Sequence, residues 1–176
     1  TAEEAWQSRY NDKENSVHLQ TYYKADKSWE NSLIGKKWTE ISLKELYGIL
    51  RLRSEVFVVE QDCVYQDIDN KDQQAIHLLG YINNELIAYS RIFNEGNYFK
   101  ETSFGRAIIK KEKRGLGIGD DLVKESLKII KKEYGNKKVK ISAQAHLKKF
   151  YAKHGFKTKG EEYLEDGIPH VSMECL

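Results

Sequence analysis

The stretch Lys110-Lys-Glu-Lys-Arg-Gly-Leu-Gly-Ile-Gly-Asp-Asp-Leu-Val-Lys124 decides the fold of this chain. Before it, Ser103–Lys110 reads as a strand. After it, Ile118, Leu122, Val123, Leu127, Ile130 and Tyr134 fall on one face and predict an amphipathic helix over 118–134. Between the two, Gly115, Gly117 and Gly119 stand at alternate positions, so successive backbone N–H groups can turn toward one point without Cβ obstruction. Joined to a helix N-terminus, such a loop is a nest for a phosphate or pyrophosphate. Lys110, Lys111, Lys113 and Arg114 surround it with positive charge. The plain alternative is a glycine-rich turn that only starts a helix. Two nucleotide-binding classes do not fit. A dinucleotide fingerprint needs a third glycine three positions after the second, where this chain has Asp120. A P-loop ends in Gly-Lys-Ser/Thr, whereas Asp120 and Asp121 follow Gly119 and suit the helix dipole.

Outward from this segment the pattern is that of an α/β domain. Trp38–Ile41 reads as a first strand. Ser42 is an N-cap with Glu45 in capping-box position, and Leu43, Leu46, Tyr47, Leu50 and Phe57 predict a helix of about four turns. An acidic loop over 60–72 follows. Ile76–Ile82 and Leu86–Phe93 read as strands joined by a tight Asn83-Asn84 turn. Beyond the long helix, Val139, Ile141 and Ala143 alternate with polar residues as a half-buried strand. Leu147, Phe150, Tyr151 and His154 suit a short helix with Gly155 as left-handed C-cap. A last strand, Ile168–Glu174, follows an Asp166-Gly167 turn. The order β-α-β-β-β-α-β-α-β implies a mixed β-sheet flanked by helices. Residues 1–35 form a polar N-terminal extension without clear periodicity; Trp6, Tyr10, Tyr22, Tyr23 and Trp29 argue that it packs on the 36–176 domain.

Composition narrows the class. The chain has 176 residues, 40% apolar and 32% charged, which suits one soluble domain. No run approaches the roughly 20 apolar residues of a membrane span, and the start lacks the pattern of a secretory signal. Two cysteines, Cys63 and Cys175, exclude a disulfide scaffold and a four-cysteine zinc site and fit free thiols in the cytoplasm. The histidines share no metal-ligand spacing, so no metal is expected. The net charge of +2 hides an asymmetry: residues 100–159 hold 18 Lys and Arg against 6 Asp and Glu. The basic part lacks interleaved aromatics, which argues against nucleic acid.

The pattern Arg-x-x-Gly-x-Gly of Arg114–Gly119 between strand and helix resembles the pyrophosphate loop of the GNAT N-acetyltransferases, which bind acetyl-coenzyme A. Phe150-Tyr151 followed by Gly155-Phe156 resembles that superfamily's second hallmark. The stretches Leu52-Arg-Ser-Glu-Val-Phe-Val-Val-Glu-Gln61, Tyr65-Gln-Asp-Ile-Asp69, Ala143-Gln-Ala-His146 and Glu165-Asp-Gly-Ile-Pro-His170 are similar to its ElaA-like branch. The resemblance spans about residues 36–176. It implies a GNAT acyltransferase fold with the coenzyme in a gap between Ser103–Lys110 and Lys138–Ala143. Backbone groups of Ala107, Ile108 and Ile109 would hold the pantetheine and polarise the thioester carbonyl. Donors of this kind are worth roughly 3 kcal/mol each. Arg114, Gly115, Leu116, Gly117, Ile118 and Gly119 would hold the pyrophosphate. Phe150 and Tyr151 would line the arm, as would Gln144, which stands where the superfamily usually has Asn.

The implied reaction is direct attack of a primary amine on acetyl-coenzyme A. Tyr151 matches the superfamily's usual acid, and a phenol of pKa about 10 stays protonated at neutral pH; read without the resemblance, it is a packed aromatic. The base is open among Glu60, Asp67, Asp69 and His77, with His146 and His170 as further candidates; Glu60 and His77 are the catalytic choices. Asp67, Asp69 and His146 are candidates for binding the acceptor, since the acidic loop favours a cationic small molecule or protein amine. A different class is a catalytically weak coenzyme A sensor on the same fold. The expected assembly is a monomer or homodimer.

Overall fold

The computed structural model describes residues 33–176. The expected N-terminal extension therefore lies outside the described residues, apart from Leu33-Ile34-Gly35, which open the first strand. Among the described residues the strands are β1 (Leu33–Lys37), β2 (Ile76–Ile82), β3 (Glu85–Phe93), β4 (Thr102–Ile109), β5 (Val139–Gln144), β6 (Lys157–Glu165) and β7 (Ile168–Cys175). They form one mixed sheet in the order β1-β2-β3-β4-β5-β7-β6. Every neighbouring pair is antiparallel except β4 with β5.

Each face of the sheet has its own helix. Helix α2 (Ile118–Tyr134) lays Ile118, Leu122, Val123 and Ile130 on Leu78, Ala88, Ile92, Phe104, Ile141 and Met173. Helix α1 (Leu43–Arg53) covers the opposite face, where Ile49 and Leu52 meet Leu79, Tyr89 and Ile108. Ser42 caps α1 as its sequence predicts: its Oγ accepts from the Glu45 N–H while Glu45 accepts from the Ser42 N–H. The short helix α3 (Lys148–Ala152) brings Tyr151 to the edge of the larger core. The turns follow their residues as well. Asn83 and Asn84 have φ of 50° and 63°, and Asp166 and Gly167 have 50° and 78°, the two positive φ values of a tight hairpin.

Three expectations need correction. The first strand is Leu33–Lys37; Trp38–Glu40 is a 3-10 turn, because the Glu40 carboxylate accepts from the Lys37 N–H at 2.7 Å and closes the chain there. The first helix ends as an α-helix at Arg53 and continues as a π-helix over Ser54–Glu60. A seventh strand, β6, carries almost wholly exposed side chains, so no apolar alternation marks it in the sequence.

Candidate active site

Strands β4 and β5 pair only at Thr102–Val139 and Ser103–Lys140 and then part. From Phe104 to Ile109, β4 keeps β3 on one side and has no strand partner on the other. A cavity of about 930 Å³ occupies this opening. It runs from the glycine loop, past Ala107, Ile108, Ile109 and Tyr151, to the sheet face beneath the π-helix. A β-bulge in β4 shapes it: Tyr89 pairs with Ile108 but Arg91 with Gly105, and Arg106 takes the left-handed φ of 51°.

The glycine loop has the geometry of an anion nest. Gly115 and Gly117 have φ of 78° and 84°, and a Cβ on either would point into open space. Gly117 is the N-cap of α2, so the opening N–H groups of Ile118 and Gly119 have no intrahelical acceptor. The three glycines do not share one job. Gly119 has an ordinary helical φ, and a Cβ there would meet the Phe150 ring at 3.4 Å. It therefore serves close packing of α3 on α2. Ile118 is buried in the core, which leaves only its backbone to the loop. Arg114 turns back over the cavity: its Nε donates to the Ile109 carbonyl at 3.0 Å, and Nη1 and Nη2 donate to Glu60 at 2.5 and 2.9 Å. Lys110 pairs with Glu85 on the β2–β3 hairpin instead of facing the loop.

Tyr151 is 8% exposed, packs against Phe104, Phe150 and Phe156, and lines the cavity. Burial pushes its hydroxyl up to about 12, so it is protonated at neutral pH. Gln144, the last residue of β5, donates to Gln61 at 3.1 Å and so joins the π-helix end to the far wall of the opening. His146 is exposed on the cavity rim, and His170 lines the cavity with its Nδ1 donating to the Ile168 carbonyl at 2.8 Å.

The acidic loop is not a solvated patch, and three sequence candidates leave the site with it. Asp67 and Asp72 are buried, and neither Asp67, Asp69 nor His77 lines the cavity. Asp67 accepts from Arg53 Nε at 2.8 Å, Arg106 Nε at 2.7 Å and the Tyr65 hydroxyl at 3.0 Å. Asp69 binds Arg91, and Asp72 accepts from Arg53 at 2.7 Å and Arg91 at 2.9 Å. Burial raises both Asp67 and Asp69, but their arginines outweigh it and hold Asp67 below the usual carboxylate range and Asp69 at about 2. His77 is fully buried. Its Nε2–H donates to the Asp72 carbonyl at 2.9 Å, so Nδ1 accepts from the Tyr89 hydroxyl at 2.8 Å. Burial, together with Arg53 and Arg91, pushes its pKa down. It is a neutral structural histidine without access to substrate.

The cavity also holds residues that the sequence reading passed over. Gln61, Arg91, Phe93, Tyr98, Phe99, Ser103, Ser142 and Glu165 all line it. Ser142 Oγ donates to Glu165 at 2.6 Å and accepts from the Tyr163 hydroxyl at 2.6 Å. For Arg91 a signal existed, since a charge inside the apolar run Tyr89-Ser-Arg-Ile-Phe93 needs buried partners. Cys63 lines the cavity with its Sγ donating to the Asp166 carbonyl at 3.3 Å.

A parallel strand pair that opens after two residues, a glycine nest on the following helix and a buried tyrosine beside the opening define an acyl-coenzyme A transferase site. The family model of the acetyltransferase (GNAT) domain matches residues 39–176. The chain belongs to this family and is an N-acetyltransferase. It is 42% identical over 137 residues to the protein ElaA of Escherichia coli, covering 77% of this chain and 90% of ElaA. The crystal structure of ElaA superposes with a TM-score of 0.77 at 39% identity over 82% of this chain and 98% of ElaA. That of an acyl-CoA N-acyltransferase from Pseudomonas aeruginosa gives 0.78 at 37% identity, with 82% and 98% covered. A PaiA N-acetyltransferase from Thermoplasma acidophilum, solved in complex with coenzyme A, shares the fold at 19% identity and a TM-score of 0.60, over 82% of this chain and 98% of that one.

Proposed function

We propose that the chain, a cytoplasmic monomer or homodimer whose GNAT domain occupies residues 36–176, transfers the acetyl group of acetyl-coenzyme A to a primary amine by direct attack. The observation that carries this reading is the parting of β4 from β5 after Ser103, with the glycine nest at one end of the opening and Tyr151 lining it. The residues fit the co-substrate. The nest of Gly115–Gly119 and the α2 N-terminus suits a pyrophosphate. The unpaired edge of β4 at Ala107–Ile109 offers backbone groups to the pantetheine amides and the thioester carbonyl, and Gln144 and Phe150 line the arm. The coenzyme A complex of the Thermoplasma structure, which shares this fold, supports the same assignment.

The residues then divide the proton work. As the amine nitrogen bonds to the acetyl carbon and the carbon–sulfur bond breaks, the Tyr151 hydroxyl protonates the leaving sulfur. The proton lost by the nitrogen leaves through water at the open end and restores Tyr151. Glu60, with both oxygens engaged by Arg114, holds that arginine until a phosphate takes it, rather than acting as the base. His146, on the rim, is placed to meet the incoming acceptor. A panel of primary amines, assayed for coenzyme A thiol release, tests the function. Acceptor-dependent release supports it. Tight coenzyme A binding without release on any amine would favour the sensor reading instead.

A further inference from the structure

The acetyl transfer proposed above uses the glycine loop, β4 and Tyr151, and leaves the part of the cavity beneath the acidic loop without a role. Two buried polar atoms there lack a protein partner. Arg91 and Ser103 are each 1% exposed, and both line the cavity. Among the described residues, nothing hydrogen-bonds Arg91 Nε or Ser103 Oγ. The register puts both on one sheet face, since Arg91 stands opposite Gly105 and Phe93 opposite Ser103. Diagonal neighbours across an antiparallel pair lie within roughly 8 Å of each other. Both atoms are donors, and a buried donor left unmet is costly enough to call for a partner.

The surroundings say what that partner is. Phe93 and Tyr98 stack at 5.3 Å, and Phe99 meets Tyr98 edge-on at 4.8 Å, giving an aromatic wall. Lys71 Nζ lies 4.4 Å from the Tyr98 ring centre and Lys140 Nζ 5.1 Å from that of Phe99. Arg53, Arg91 and Arg106 are matched by Asp67, Asp69 and Asp72. Lys71 and Lys140 do not line the cavity themselves, but they lie against the rings of this wall, and among the described residues neither has a carboxylate partner, so they add positive charge beside it. Glu165 and Asp166 line the cavity elsewhere. One end therefore favours an anion and another a cation.

Resting on the acetyl-transfer reading, we propose that the acceptor is a primary amine that also carries a carboxylate, which the Arg91 Nε–H and the Ser103 hydroxyl receive against the wall of Phe93, Tyr98 and Phe99. The acceptor is thus zwitterionic, and its anionic end is read by a floor that lies under the acidic loop.

Calorimetry on the full chain, with and without coenzyme A, tests this with amines matched but for a carboxylate: benzylamine against 4-(aminomethyl)benzoate, and phenethylamine against phenylalanine. At least one carboxylate member should bind about tenfold or more tightly than its partner, a difference of about 1.4 kcal/mol. Ser103→Ala, which removes a hydroxyl without a protein partner, should cut that preference about tenfold, the worth of one hydrogen bond to a charged group. Lys140→Gln should reduce it too, and both variants should keep the affinity for coenzyme A. Absence of preference in both pairs, or a preference that survives both substitutions, overturns the proposal. Selective binding with no turnover would sink the acetyl-transfer reading and leave this subsite standing. Turnover of the plain amines with no carboxylate preference does the reverse.

Discussion

Arg114 grips Glu60 through both carboxylate oxygens, so the residue that opens the glycine nest is tied to the last residue of the π-helix, 54 positions away. Both residues line the cavity, beside the loop proposed to hold the pyrophosphate. If Arg114 receives the pyrophosphate as proposed, the Glu60 carboxylate competes with it for the arginine. Glu60→Gln should tighten coenzyme A binding a few-fold, the usual size for an exposed ion pair of up to about 1 kcal/mol, and should lower kcat by less than about tenfold. Calorimetry and steady-state kinetics check both. A fall of about 100-fold or more in kcat would return Glu60 to the role of general base.

The nest depends on Gly117 in a conformation closed to side chains. With φ of 84°, any β-branched residue there is strained even though the space is open. Gly117→Val should weaken coenzyme A binding at least about tenfold, equal to about 1.4 kcal/mol. Circular dichroism confirms that the variant is folded. Unchanged affinity in a folded variant would take the nest out of the account.

The acidic loop was legible as a sequence feature but not as a structure. Asp67, Asp69 and Asp72 find their partners in α1, β3 and β4, up to 39 residues away, and no local pattern announces such pairing. The same holds for Gln61 and Gln144, which meet from 83 residues apart. By contrast, the glycine loop, α2, the Asn83-Asn84 turn and the position of Tyr151 could be read because each rests on neighbouring residues. Strand β6 escaped notice because its pairing to β7, not its side chains, makes it a strand.

Since Asp67 is buried between Arg53 and Arg106, removing its charge should act on stability. Asp67→Asn leaves Arg53 with Asp72 alone and Arg106 with only a 3.9 Å approach to Asp69, a partial loss of buried pairing at or below the lower end of the about 3–5 kcal/mol that breaking a buried ion pair costs. Thermal melts should show the loss, and coenzyme A affinity of the folded fraction should hold. A melting temperature equal to wild type would show that the cluster is not needed to hold the loop.

Acid should act through the same cluster. The folded pKa of Asp69 is about 2 and that of Asp67 is also depressed, against an unfolded value of about 3.9. Their stabilisation is thus complete above about pH 4 and is lost as pH falls toward 2. Denaturant midpoints across this window should fall in wild type more steeply than in Asp69→Asn. Parallel curves would contradict the assignment.

The proposed transfer turns on Tyr151 as the acid that protonates the leaving sulfur. Burial pushes the phenol up to about 12, so it carries its proton at neutral pH, as the proposed role of acid requires. Phe keeps the ring and its contacts with Phe104, Phe150 and Phe156. The most direct measurement is the single-turnover rate of acetyl transfer by Tyr151→Phe with an accepted amine, since it reports chemistry free of product release. That rate should drop about 100-fold or more, with coenzyme A affinity and melting temperature nearly unchanged. A wild-type single-turnover rate in Tyr151→Phe would contradict it, and Tyr151 would then be a packed core aromatic.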